Sequence, residues 1–109
     1  MERMNEQEAF DRQVPSSNLF LLFKHSSTCP VSQGAFEEYE KFANEHADVE
    51  TFYLVVQEDR ALSNHIAETF HIKHESPQAI LFKNGDVVWH TSHWKITDQS
   101  LTKAIEENI

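Results

Sequence analysis

Short apolar runs alternate with segments of helical pattern, and this alternation is the feature that most restricts the folds available to the chain. Leu19 to Phe23 is apolar at every position, as in a strand covered on both faces. Apolar side chains then recur at three- and four-residue steps, which predicts an amphipathic helix over Pro30 to His46. Thr51 to Val56 is rich in β-branched and aromatic residues and predicts a second strand. A strand, a helix and a strand of these lengths form a parallel βαβ unit with a right-handed crossover.

A β-hairpin is the clearest local signal in the second half of the chain. Asn84-Gly85 separates the apolar runs Ala79–Phe82 and Val87–Trp89. This dipeptide is preferred in a type I′ turn because both central residues need a positive φ. If the strand Ala79–Phe82 lies antiparallel beside Leu19–Phe23, its N-terminal end lies next to the C-terminal end of Leu19–Phe23. Pro77, which precedes Ala79, is then close to that C-terminal end.

Two further helices and an N-terminal segment complete the predicted order. Asp59 can cap a helix over Arg60 to Phe70, and Thr97 can cap a last helix over Asp98 to about Asn108. The polar residues 1–17 predict an N-terminal arm or a short helix. The whole 109-residue chain is therefore predicted as one α/β domain, β-α-β-α-β-β-α, with a central mixed four-stranded sheet.

Composition narrows the classes of partner. Nine Lys+Arg stand against 18 Asp+Glu, so the net charge is -9, which repels phosphate backbones and anionic membranes. We therefore expect neither a nucleic acid nor a membrane as partner. The first residues carry no apolar signal-peptide core, and the apolar runs are only strand-sized. Together with a single cysteine, which forms no disulfide within the chain, this predicts a cytoplasmic protein.

The only cysteine, Cys29, stands where the first strand gives way to the first helix. Unpaired N–H groups and the dipole at a helix N-terminus favour a thiolate over a thiol. Pro30 suits the first helical position, where a missing N–H costs nothing. Neighbouring polar residues that can support a thiolate are Lys24 (if its side chain turns toward Cys29), His25, Thr28 and Ser32. The competing interpretations are a buried structural cysteine and, for Ser32, an ordinary first-turn residue.

Seven histidines raise the question of a metal site. Two pairs are spaced three residues apart, namely His71 with His74 and His90 with His93. Residues three apart on a strand point to opposite faces, and only one thiolate is available as a ligand. We therefore expect no metal site and interpret most of these histidines as solvated surface residues.

From about Leu19 to Ile109 the chain resembles the thioredoxin fold. Cys29-Pro30-Val31-Ser32 occupies the position of the redox motif, in the glutaredoxin form in which proline follows the first cysteine. Ser76-Pro77 stands where the family places its cis-proline, followed by a similar hairpin. A Thr-Cys-Pro-hydrophobic-Ser motif in a short, acidic chain with one cysteine resembles the monothiol bacilliredoxins, redox-active proteins of the bacillithiol system.

The resemblance implies a thiol–disulfide oxidoreductase with Cys29 as its catalytic nucleophile. Such a protein removes bacillithiol, or a similar low-molecular-weight thiol, from mixed disulfides on cytosolic proteins. Its partners are S-thiolated client proteins and a small thiol; bacillithiol is a co-substrate, and no cofactor is bound. If Pro77 is cis, the backbone of Ser76 pairs with an extended substrate beside Cys29. Because Ser32 replaces the second cysteine, a thiol from outside must regenerate Cys29.

Two departures from related families leave part of the site open. Thr28 precedes the cysteine where thioredoxins have tryptophan, and only Gly34 and Gly85 are available to match the glutathione-binding glycine pair of glutaredoxins. This argues against glutathione and leaves the small-thiol pocket unassigned. The alternative function is a non-catalytic thioredoxin-fold module that binds proteins without turnover.

Overall fold

The computed structural model describes all 109 residues as a five-stranded sheet with helices on both faces. The elements are β1 (Glu2–Arg3), α1 (Gln7–Ser16), β2 (Leu19–His25), α2 (Pro30–Glu45), β3 (Glu50–Val55), α3 (Arg60–Phe70), β4 (Gln78–Lys83), β5 (Asp86–Ser92) and α4 (Asp98–Asn108), with a 3₁₀ turn at His93–Lys95. The strand order is β1-β3-β2-β4-β5, in which β2 runs parallel to β3 and antiparallel to β4. No helix has both the length and the apolar character that a membrane span requires.

The N-terminal segment accounts for the one strand beyond the predicted four. Glu2 and Arg3 pair in parallel with β3, and the next residue, Met4, is buried in the core. The helix α1 follows and buries Phe10. It includes Pro15 and ends at Ser16. Residues 1–16 therefore form a strand and a helix that pack on the body of the protein.

The central strand β2 is buried on both faces, as predicted, and it extends two residues beyond Phe23. Phe20 and Leu22 belong to the apolar cluster that α1 and α3 cover. Leu21 and Phe23 point to the opposite face and pack in the cluster covered by α2 and α4. Because both faces are filled, a slip of one residue would exchange every side chain between two packed layers.

The neighbouring strand β4 brings the proline region to the end of β2. Lys24 pairs with Gln78 in the antiparallel register, so Pro77 lies beside the point where β2 ends. The hairpin from β4 to β5 turns at Asn84 and Gly85, whose φ values are 51° and 88°, as a type I′ turn requires.

The helix caps follow the prediction at α4 but not at α3. Thr97 accepts a hydrogen bond from the Ser100 N–H at 3.0 Å and forms a capping box with it. Asp59 occupies the N-cap position of α3, but its side chain makes no cap. Instead it accepts the Val55 N–H at 2.9 Å and pairs with the Arg3 guanidinium at 3.1 Å. The expected cap was wrong because Arg3, brought in by β1, attracts the carboxylate.

We predict that Asp59→Ala destabilises the protein by about 2–3 kcal/mol, because it leaves the buried Val55 N–H without an acceptor and Arg3 without its ion pair. Asp59→Asn keeps an oxygen for Val55 and should cost about half as much. Urea unfolding of the three proteins measures both values. Equal losses in the two variants would mean that the hydrogen bond to Val55 contributes nothing.

A lysine lies within the core on the α3 face of β2. Lys24 is fully buried, and its Nζ donates to the Ser63 carbonyl oxygen at 3.0 Å and to His74 Nδ1 at 3.3 Å. No carboxylate pairs with this ammonium group. Burial therefore lowers the pKa of Lys24 from 10.5 to about 8.

The lowered pKa predicts how stability depends on pH. Between pH 8 and 10.5 the unfolded chain binds more protons at Lys24 than the folded chain, so stability rises with pH in this window. From pH 7 to pH 10 we expect the wild type to gain about 2–3 kcal/mol relative to Lys24→Met, which keeps the apolar stem and has no titrating group. Urea unfolding at both pH values gives the difference. If the difference in the free energy of unfolding between the two proteins is the same at both pH values, folding does not lower the pKa of Lys24.

Candidate functional site

Cys29 occupies the N-cap position of α2, where the sequence predicted it. Its backbone is extended, with φ −105° and ψ 120°, and Pro30 is the first helical residue. The Cys29 carbonyl accepts the Gln33 N–H at 3.1 Å, so the helix begins directly at the cysteine. The thiol forms no disulfide, and Cys29 as a residue is partly exposed. A cysteine at the N-cap position lies near the unpaired amides of the first helical turn.

Gln57 holds the loop that precedes the cysteine. Its Nε2 donates to Ser26 Oγ at 2.8 Å and to Thr28 Oγ1 at 3.2 Å, and its Oε1 accepts the Ser27 N–H at 3.1 Å. Sequence reasoning missed this residue. The available signal was its position just beyond β3, because the carboxyl ends of the parallel strands β2 and β3 lie side by side. Thr28, predicted as a site residue, is thus fixed through Gln57.

Ser32 occupies the place of a second motif cysteine, and its side chain is fully buried. Its Oγ accepts the Ser26 N–H at 2.8 Å and shares a hydrogen bond of 2.9 Å with His25 Nδ1. The His25 ring stacks on Phe36 at 4.5 Å, and burial lowers its pKa while Glu40 opposes the shift. The neutral imidazole and the hydroxyl therefore join the end of β2 to the first turn of α2.

Lys24 could add a positive field at the thiol only if its side chain turned toward Cys29, and it turns away. Side chains alternate along a strand, so Lys24 points to the face opposite His25. His25 lies on the α2 face, whereas the Lys24 ammonium binds Ser63 of α3 and His74. The condition attached to the prediction, a side chain turned toward Cys29, is not met.

The peptide bond between Ser76 and Pro77 is cis, as the resemblance implied. The Pro77 carbonyl accepts the His93 N–H at 3.0 Å, whereas the N–H and C=O of Ser76 bind no other backbone group. The Ser76 Oγ is buried and also has no partner. Ser76 therefore carries free hydrogen-bonding groups beside the end of β2.

A groove of about 230 Å³ begins one residue after the cysteine, between the first turns of α2 and the chain after β5. Its lining includes Pro30, Val31, Gly34, His93, Trp94 and Thr97. The Trp94 side chain is 80% exposed, and a methyl group added at Gly34 would meet no atom within 4 Å. Sequence reasoning missed this groove, since only the fold brings residues 93–97 to α2. A larger cavity, about 400 Å³, lies beside Glu50 at the opposite end of β3.

No group of three His, Cys, Asp or Glu side chains is placed to hold a metal ion. In particular, His74 is bound to Lys24, and His25 is bound to Ser32. The residues around Cys29 present hydroxyl, amide and neutral imidazole groups.

Comparison with solved structures supports the fold and the redox role. A protein provisionally described as an oxidoreductase with a thioredoxin fold is 38% identical, with a TM-score of 0.88; the match covers 94% of this chain and 91% of that one. Oxidised thioredoxin from Plasmodium falciparum is 17% identical, with a TM-score of 0.77 over 98% of this chain and 96% of that one. Mitochondrial thioredoxin 3 from Saccharomyces cerevisiae is 15% identical, with a TM-score of 0.78 over 98% and 94% of the two chains. The predicted thioredoxin-like fold is confirmed.

The family model described as monothiol bacilliredoxin BrxC matches residues 2–101, which include β1, Cys29 and Pro77. The match extends over all five strands and into α4. It confirms the resemblance drawn from the Thr-Cys-Pro-hydrophobic-Ser motif and assigns the chain a role in thiol redox chemistry. The chain belongs to the monothiol bacilliredoxin family.

Proposed function

We propose that the protein removes bacillithiol, or a similar low-molecular-weight thiol, from mixed disulfides on cytosolic proteins, as a monothiol thiol–disulfide oxidoreductase. One observation carries the proposal: a free, partly exposed cysteine begins α2, and a buried serine stands where a second cysteine would resolve the intermediate. Such a site transfers a group onto one sulfur and cannot form a disulfide within the chain.

The reaction has two exchange steps. In the first, the Cys29 thiolate attacks the small-thiol sulfur of the mixed disulfide, and the bond to the client sulfur breaks. The client leaves as a thiolate and takes a proton from solvent, while Cys29 retains the small thiol as a mixed disulfide. In the second, the thiolate of another small thiol attacks that retained sulfur, forms a symmetric small-thiol disulfide and releases Cys29. Electrons balance because each step exchanges one disulfide for another.

Free groups at Ser76 support backbone recognition of the client. Its N–H and C=O bind no other backbone group, and Pro77 lies beside the end of β2. An extended client segment can use these two groups as an added strand would. Thr28, held by Gln57, provides a hydroxyl directly before the nucleophile. We therefore assign client positioning to Ser76, Pro77 and Thr28.

The groove beside Pro30 supports binding of the small thiol. At about 230 Å³ it is below the usual size of a drug-sized site and suits part of a small molecule. Trp94 and Val31 offer apolar surface, and Thr97 and His93 offer polar groups. Gly34 keeps the groove open, since any side chain there would extend into empty space. We assign the groove to the non-reacting part of the small thiol.

The central test is release of the client thiol from an S-bacillithiolated protein, followed by mass spectrometry. We predict stoichiometric release by the wild type and none above the buffer rate by Cys29→Ala or the isosteric Cys29→Ser, because only the thiolate can attack the disulfide. Adding free bacillithiol should convert the stoichiometric release into turnover. If the wild type and the variants release client equally, the protein is instead a thioredoxin-fold binding module.

The groove assignment predicts the effect of a larger side chain at Gly34. We expect Gly34→Leu to slow regeneration of Cys29 by bacillithiol about tenfold, because the side chain fills the groove, while stabilising α2 by about 0.5–1 kcal/mol. Gly34→Ala is the matched control, with the same gain in helix propensity and a groove that stays open. Stopped-flow regeneration and urea unfolding measure the two effects. Regeneration at the wild-type rate in Gly34→Leu would place the small thiol elsewhere.

A further inference from the structure

A polar cluster joins the core to the segment between α3 and β4; Lys24 and Ser63 are buried in it, and His74 is exposed. We call residues 71–77 the prolyl segment, since it ends at Pro77. The fully buried Lys24 ammonium binds both the Ser63 carbonyl of α3, at 3.0 Å, and the His74 ring, at 3.3 Å. The Ser63 hydroxyl lies 3.3 Å from the same ring nitrogen. One side chain of β2 thus connects α3 to the middle of the prolyl segment.

A second buried side chain reaches the prolyl segment from the neighbouring strand. Gln78 lies opposite Lys24 in the register of β2 and β4, so both side chains are on the same face. The Gln78 Nε2 donates to the Lys73 carbonyl at 3.1 Å, while its Oε1 is buried without a partner. The Lys73 carbonyl and the His74 ring, three and two residues before Ser76, are therefore each hydrogen-bonded to a buried side chain.

The charge state of His74 fits this arrangement. Burial lowers the pKa of His74, the positive charges of Lys24 and Arg60 lower it further, and only Glu75 opposes them. A neutral imidazole can accept a hydrogen bond from the Lys24 ammonium group at Nδ1, whereas a protonated ring would repel that group. Neutral His74 therefore completes the cluster near pH 7.

We propose that Lys24 is a positioning residue for client recognition: through His74 it fixes the prolyl segment so that the free backbone groups of Ser76 lie beside the end of β2. The inference rests on the proposed function, because it assigns Ser76 to the client. It also explains why a chain would keep an ammonium group in its core without a carboxylate, since a buried charge is retained where its hydrogen bonds fix a particular geometry.

The test separates client recognition from the reactivity of the thiol. In Lys24→Met we expect the KM for an S-bacillithiolated client to rise about tenfold, the loss of about 1.4 kcal/mol of binding, with kcat changed less than threefold. The rate of Cys29 alkylation by iodoacetamide should stay within about twofold of the wild type, because this small reagent needs no backbone pairing. Hydrogen exchange of the prolyl-segment amides should accelerate about tenfold.

Substitution of His74 provides a matched pair that leaves Lys24 in place and covers the case in which Lys24→Met does not fold. His74→Leu removes the acceptor and should reproduce the rise in KM, whereas His74→Asn places an amide oxygen near the Nδ1 position and should restore most of the affinity. The inference is overturned if Lys24→Met and His74→Leu leave the KM unchanged. It is also overturned if the rate of Cys29 alkylation in these variants falls as much as the affinity for the client. If the wild type itself releases no client, the proposed function fails, and hydrogen exchange alone decides whether Lys24 fixes the segment.

Discussion

Burial of β2 on both faces, and between β3 and β4, is the constraint on which the site depends. Its parallel pairing with β3 sets Gln57 beside the loop that leads to Cys29, and its antiparallel pairing with β4 sets Pro77 at the same edge. Because both faces are packed, the register cannot shift without moving every core side chain of the strand. The fold therefore determines which residues meet at the thiol.

Ser32, at the position of the second thiol of a redox motif, makes a structural contact instead. Ser32 is buried and holds His25 and the Ser26 amide, so the position that would resolve a disulfide now joins β2 to α2. Burial keeps the pKa of His25 low, and its neutral ring can share that hydrogen bond. Because the chain has no second cysteine, the proposed reaction depends on an outside thiol.

Local signals in the sequence were sufficient for every helix and strand from β2 to α4, whereas β1 depends on its long-range pairing with β3. The apolar β2 run, the Asn84-Gly85 turn and the Thr97 cap follow from neighbouring residues alone, and the structure contains all three. The Asp59 cap was wrong and the direction of the Lys24 side chain was left open, because their partners, Arg3 and His74, are 56 and 50 residues away in the chain. Gln57 was missed although its position just beyond β3 was a signal, because its contact with Thr28 depends on tertiary structure.

The measurement that tests the account most directly is the intact mass of the protein after one exposure to an S-bacillithiolated client without added thiol. The account predicts one bacillithiol per chain, located on Cys29 by peptide mapping and removed by free bacillithiol. A covalent complex between Cys29 and the client, stable without any small-thiol adduct, would contradict it, because the nucleophile would then attack the client sulfur and retain the protein instead of the small thiol.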